Sequence, residues 1–229
     1  EYFYRFNKED NLLARKVVEE AIAMEPEWAV LDSVLAYTHL QDLLLQSSES
    51  PLISFAQASK NIKKALALDD EDYFAHYALS ALYWLRKEPD KAKAALERAI
   101  AINPNGADAY AHLGSFFTAT GEPEEGIRLI EKAFRLNPIP PALFLHYLGH
   151  AYYSLGQYED AIELYKKVLK RSPNHLLAHI NLTATYSASG REQEARQQAQ
   201  ELLRLDPAFS LDRWVERVSP LFEDKTRAE

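Results

Sequence analysis

The chain has no cysteine in its 229 residues, which excludes a disulfide framework, a thiolate nucleophile and any cysteine-ligated metal. Basic residues are outnumbered, 26 Lys and Arg against 34 Asp and Glu, for a formal charge of −8. Nucleic-acid binders need a basic stripe to neutralise phosphates, so no nucleic-acid partner is expected. Glycine is scarce at seven residues, and β-branched runs in period two are missing, which argues against sheet. There is no glycine-rich phosphate loop, no His-Glu-x-x-His and no recognisable Ser, His and Asp arrangement. Neither enzymatic activity nor a cofactor is expected. No secretory leader is read at Glu1, and a cysteine-free chain folds in either redox environment. A cytoplasmic location is expected, with the periplasm left open.

What is present is helix-forming. The hydrophobic share is 47% and the charged share 26%, in long segments of Ala, Leu, Glu, Lys and Arg that lose little side-chain freedom in a helix. From Ile139 to Tyr158, however, the chain runs IPPALFLHYLGHAYYSLGQY without a formal charge. Its proline-free part, Ala142 to Leu155, would rise about 21 Å as a helix. That is short of the roughly 30 Å of a bilayer core, so no membrane span is expected.

The stretch is better read as one unit of a repeat. Prolines 104, 138, 173 and 207 are spaced by 34, 35 and 34 residues, and Gly121, Gly156 and Gly190 by 35 and 34. Ala92, Gly126, Ala161 and Ala195 keep the same step, as do Leu79, Leu113, Leu148 and Leu182. A period near 34 belongs to stacked antiparallel helix pairs. The predicted organisation is a single solenoid over residues 1–222. It comprises a partial repeat at 1–26, units at about 29–70, 73–106, 107–140, 142–175 and 176–209, a cap at 210–222 and a polar tail at 223–229. In the 29–70 unit the second helix arrives about ten residues late, so an enlarged inter-helix loop or a longer first helix is expected within Gln41–Ser54. Because the chain opens on half a unit, it reads as a piece of a longer protein. Close stacking needs small side chains where helices cross, which Ala14, Ala36, Ser80, Gly114, Gly149, Thr183 and Ala195 would supply.

These landmarks resemble the tetratricopeptide repeat (TPR). The units ADAYAHLGSFFTATGEPEEGIRLIEKAFRLNP and YLGHAYYSLGQYEDAIELYKKVLKRSP carry its small and aromatic positions and its closing proline. The resemblance implies an all-α fold, a right-handed superhelix of antiparallel helix pairs with a C-terminal capping helix formed around Leu211, Trp214, Val215 and Val218. The opening YRFNKEDNLLARKVVEEAIAMEPEWA, the SSESP insertion and the ending GREQEARQQAQELLRLDPAFSLDRW also resemble the C-terminal TPR module of bacterial class III adenylate/guanylate cyclase-type signalling proteins. That second resemblance implies a regulatory or partner-binding role, with no cyclase chemistry in this chain.

In a TPR superhelix the first helix of each pair lines the concave groove. By repeat register the partner-binding positions are Tyr37, Phe74, Tyr77, Trp84, Ser115, Leu143, His146, His150, Tyr153 and Ile180, an aromatic and nearly uncharged set. The cationic clamp with which some TPR grooves grip acidic tails has no match here. The expected partner is therefore a protein or peptide, extended or helical, held by apolar anchors. Three alternatives stay open: a second copy of the chain, contact with its own missing N-terminal domain, and a small apolar ligand. His146 and His150 share a helix face at i, i+4, but without a third ligand they do not make a metal site. The acidic run Asp69–Asp72 lacks the spacing of a calcium loop and is read as negative charge at a helix start.

Overall fold

Three local devices punctuate the chain. Pro51, Pro89 and Pro123 each open a helix, where the missing N–H is not needed and the fixed φ already suits the first turn. Between the helices of a pair the chain reverses through a left-handed residue. Gly121, Gly156 and Gly190 take φ of 90°, 74° and 75°, and Lys87 takes 60° at the equivalent turn. Asp72 caps the helix that follows it, accepting the N–H groups of Phe74 at 2.8 Å and Ala75 at 3.2 Å. This is the role expected of the acidic run.

The computed structural model describes residues 8–45, 48, 50–210 and 212. Among them are eleven helices and no strand. A lone helix α1 (Lys8–Met24) is followed by five antiparallel pairs: α2 (Ala29–Leu44) with α3 (Pro51–Leu68), α4 (Tyr73–Leu85) with α5 (Pro89–Ile102), and α6 (Ala107–Ala119) with α7 (Pro123–Leu136). The last two are α8 (Ala142–Ser154) with α9 (Tyr158–Arg171), and α10 (Leu176–Ala188) with α11 (Glu192–Leu205). The all-α solenoid expected from the period is what the chain forms. The expected capping helix, with Leu211, Trp214, Val215 and Val218, lies outside the described residues, as does the polar tail. No helix among the described residues is long and apolar enough to cross a membrane, and α8 is a repeat helix.

Alanines at the crossings set the spacing. Ala36, Ala58, Ala65, Ala99, Ala133 and Ala161 are completely buried. Larger side chains fill between them, and one core cluster runs without a break from Ala36 on α2 to Phe144 on α8. At Gly149 an added Cβ would lie 2.9 Å from the Tyr165 ring, so glycine lets that tyrosine lie flat between α8 and α9. A buried polar cluster docks α1 on α2: Asn11 donates to the Thr38 carbonyl and to Asp42, and Arg15 pairs with Asp42 at 2.5 Å.

The ten late residues are shared out. Helix α2 has 16 residues and α3 has 18, against 13 and 14 in α4 and α5. The first helix takes three of the extra residues and the second takes four. The rest fall between Leu44 and Pro51, where residues 46, 47 and 49 lie outside the described residues.

Candidate functional site

The first helices carry little charge: α4, α8 and α10 contain no Asp, Glu, Lys or Arg, α6 contains only Asp108, and the Asp32 and Asp42 of α2 are buried and paired with Lys64 and Arg15. Rings stack along these helices across successive pairs. Phe74 and Tyr37 both lie against Tyr77, each at 5.3 Å, and the Tyr37 and Tyr77 hydroxyls are 3.3 Å apart. Tyr77 continues to His112 at 5.1 Å, His112 stacks on Tyr147 at 6.0 Å with an interplanar angle of 6°, and Tyr147 meets His146 at 6.1 Å. Beyond it His146 faces Tyr165 at 5.7 Å and His175 at 5.2 Å. Burial keeps every ionisable member neutral. It pushes Tyr37 up to about 12 and Tyr77 and Tyr147 well above the usual phenol range. It also lowers His112 and His175 to about 4 and His146 well below its ordinary value.

This ladder divides the ten groove positions read from the repeat register. Tyr37, Tyr77, Leu143, His146 and Ile180 are buried, at 2–8% exposure. They are packed against other parts of the solenoid, Leu143 against Leu45 after α2, three pairs away, and so present little surface to a partner. The physical reason is the tightness of the stack, in which α2 meets α4 and α6 meets α8 directly. Leu143 lies under Leu45, with Leu44, Tyr147 and Leu177 around it. His146 sits in the core, its Nε2 at 2.9 Å from the Asn181 side-chain amide. Phe74, Trp84, Ser115, His150 and Tyr153 are half-buried and keep part of their surface open. Tyr153 lies further along, against Tyr158 at 5.8 Å.

Three of these five converge with Phe116 and His112 on one cleft. Helices α4 and α6 meet through the rings of Tyr77 and His112 and of Trp84 and Phe116, and between them lies a cleft of about 160 Å³ that His150 of α8 also lines. Trp84 and Phe116 form one wall, edge to face at 5.4 Å. Ala92 and Leu96 of α5 contribute small and apolar lining, and Ser80, His112, Ser115 and His150 supply the polar groups. Ser80 donates to the Tyr77 carbonyl at 2.7 Å and lies 3.5 Å from His112 Nδ1. Burial lowers His150 as well as His112, so the lining is uncharged at neutral pH. His146 and His150 share a helix but not a site, since His146 belongs to the core and His150 to the cleft. No group of three or more metal-ligating side chains gathers among the described residues.

The register reading missed His112, Tyr147 and Phe116. His112, Tyr147 and Asn181 occupy the helix position one residue after Tyr77, His146 and Ile180 in the repeat. One residue is about 100° of helix rotation, so these side chains form a second line beside the expected strip, of which Trp84, Ser115 and His150 still face the cleft. Two rings and an amide at spacings of 35 and 34 were the available signal.

An α-solenoid of stacked helix pairs with an uncharged inner cleft is thus the class of protein that the fold and site define. Three of its repeats match family models described as tetratricopeptide repeat, at residues 73–105, 107–140 and 142–175. The chain is 40% identical over 70 residues to the uncharacterized protein ycf37 of Cyanophora paradoxa, covering 31% of this chain and 41% of that one. It is 31% identical over 62 residues to Hsp70-Hsp90 organizing protein 3 of Arabidopsis thaliana, covering 27% of this chain and 11% of that protein. The chain thus spans under half the length of either curated relative. Among solved structures it resembles PilW, a widely conserved type IV pilus biogenesis factor. There the TM-score is 0.65 at 20% identity, over 84% of this chain and 86% of that one.

Proposed function

We propose that the chain is a protein-interaction module that holds an uncharged, apolar-anchored segment of a partner in the cleft between α4 and α6. The tetratricopeptide repeats themselves make it an interaction scaffold. The observation that carries the finer reading is the cleft. Trp84 and Phe116 offer open aromatic surface beside Ser115 and two neutral histidines, with no charge to attract an acidic or basic tail. An aromatic anchor with a hydrogen-bonding tip fits such a lining, because the ring buries against Trp84 and Phe116 and the tip meets His112, Ser115 or His150.

The test is selection of a random peptide library on the immobilised chain, followed by titration of the winners against wild type, Trp84→Ala and Ser115→Arg. Peptides with uncharged aromatic or aliphatic anchors and at least tenfold weaker binding by both variants are expected. Equal binding by wild type and both variants would sink the cleft as the site. The resemblance of the opening, the SSESP insertion and the ending to cyclase-associated modules motivates a second reading, in which this module regulates an attached bacterial signalling domain in the cytoplasm. Size measurement of a fused cyclase or winged-helix chain, with and without a selected peptide, addresses it. A peptide that changes neither assembly nor output counts against that role.

A further inference from the structure

We infer that the inner face of α8 and α10 carries a latent site for a pair of adjacent leucines, which Leu44 and Leu45 occupy as an internal ligand. Leu45, the C-cap of α2, is 8% exposed and Leu143 at the start of α8 is 3% exposed. These two buried residues, with Leu44, Tyr147 and Leu177 packed against them, form a small apolar cluster of their own. The principal helix contacts join members of one pair or of adjacent pairs. This cluster instead joins the second helix of the chain to the eighth and tenth, across the inner side of the solenoid.

The residues that make the contact are additional to the repeat. The other first helices have 13 residues, and α2 runs three further to end at Leu44. A unit of ordinary length would place no side chain here, and Leu143, Tyr147 and Leu177 would face the open groove. The five side chains of the cluster are leucines and one tyrosine, whose hydroxyl burial holds neutral. Such a surface selects branched aliphatic side chains, and the chain's own leucine pair is the template for them. A partner segment with two adjacent leucines competes for the same three side chains, and its apparent affinity is reduced by the fraction of molecules in which the site is filled from within. This inference uses residues separate from those of the α4–α6 cleft and stands or falls independently of it.

The test uses the complete chain and a fluorescent synthetic peptide of residues 39–45, HLQDLLL. Wild type is compared with Leu44→Ser/Leu45→Ser, and that variant with one also carrying Leu143→Ser/Leu177→Ser. At least tenfold tighter peptide binding by the first variant than by wild type is expected, with the gain lost in the second. Equal affinity of wild type and the first variant, or a gain that survives Leu143→Ser/Leu177→Ser, overturns the proposal. If Leu44→Ser/Leu45→Ser loses its helical circular dichroism, Leu45→Ala replaces it. At least threefold tighter binding than wild type then supports the internal ligand, and no gain overturns it.

Discussion

The Tyr73 hydroxyl accepts the backbone N–H of Ala109 at 2.9 Å, so a side chain at the start of α4 caps the start of α6, one repeat later. The ring passes where Gly106 has no side chain, and a Cβ there would lie 2.5 Å from it. Gly106 is the N-cap of α6 and offers no side-chain oxygen of its own. The tyrosine therefore satisfies a free helix donor from outside the helix. Tyr73→Phe should keep the packing and lose only this bond, lowering stability by about 1 kcal/mol in urea titration. Gly106→Ala should cost more, since the ring must move. Finding Tyr73→Phe as stable as wild type would remove the cap from the account.

Lys87 holds φ of 60° where the three later turns use glycine. A left-handed residue with a Cβ costs about 1–2 kcal/mol relative to the right-handed region, and glycine avoids most of that. Lys87→Gly should raise the unfolding free energy by roughly 0.5–1 kcal/mol after the added freedom of the unfolded chain is counted. Gly121→Ala, at φ of 90° with open space around it, should lower stability by a similar amount. An unchanged midpoint for both variants would mean that the turns relax without strain.

At the α6–α7 crossing, a Cβ on Gly114 would lie 2.6 Å from the Gly126 carbonyl oxygen, and a Cβ on Gly126 equally close to the Gly114 oxygen. Ala99 of α5 is likewise completely buried. Gly126→Ala and Ala99→Leu should each overpack their crossing and lower stability by about 1–3 kcal/mol. Thermal melts that match wild type would contradict the helix register.

Much of this was legible in the residues. The 34-residue step of Pro104, Pro138 and Pro173 and of Gly121 and Gly156 marks helix ends and turns, because proline and glycine act through the local backbone. The small residues Gly114, Gly126 and Ala161 mark the crossings for the same reason: close approach permits nothing larger. The site was less legible, since exposure depends on how far neighbouring pairs stand apart. Tyr77 and His146 have the composition of a binding strip, yet tight stacking buries them. Trp84 and Ser115 keep open surface because they line the cleft between α4 and α6. The path of Leu45 to Leu143 could not be read from a repeat whose landmarks concern only adjacent helices.

Acid should loosen the inner ladder, and the sign follows from burial. His112 and His175 have their values lowered to about 4 in the fold, and His146 and His150 are lowered too, all chiefly because the charged form is desolvated. In the unfolded chain these groups titrate near the ordinary histidine value of about 6.5. Between the two values the unfolded state binds more protons, so stability rises with pH across that window. The contribution of these neutral rings is complete above about pH 6.5 and is lost as pH falls toward 4. Urea midpoints should therefore drop steadily from pH 7 to pH 5, before most carboxylates titrate. His112→Gln stays neutral throughout and removes one proton from the linkage, so its midpoint should fall less steeply over that range even if it is lower at pH 7. A pH slope for His112→Gln equal to that of wild type would show that His112 takes up its proton without opening the stack.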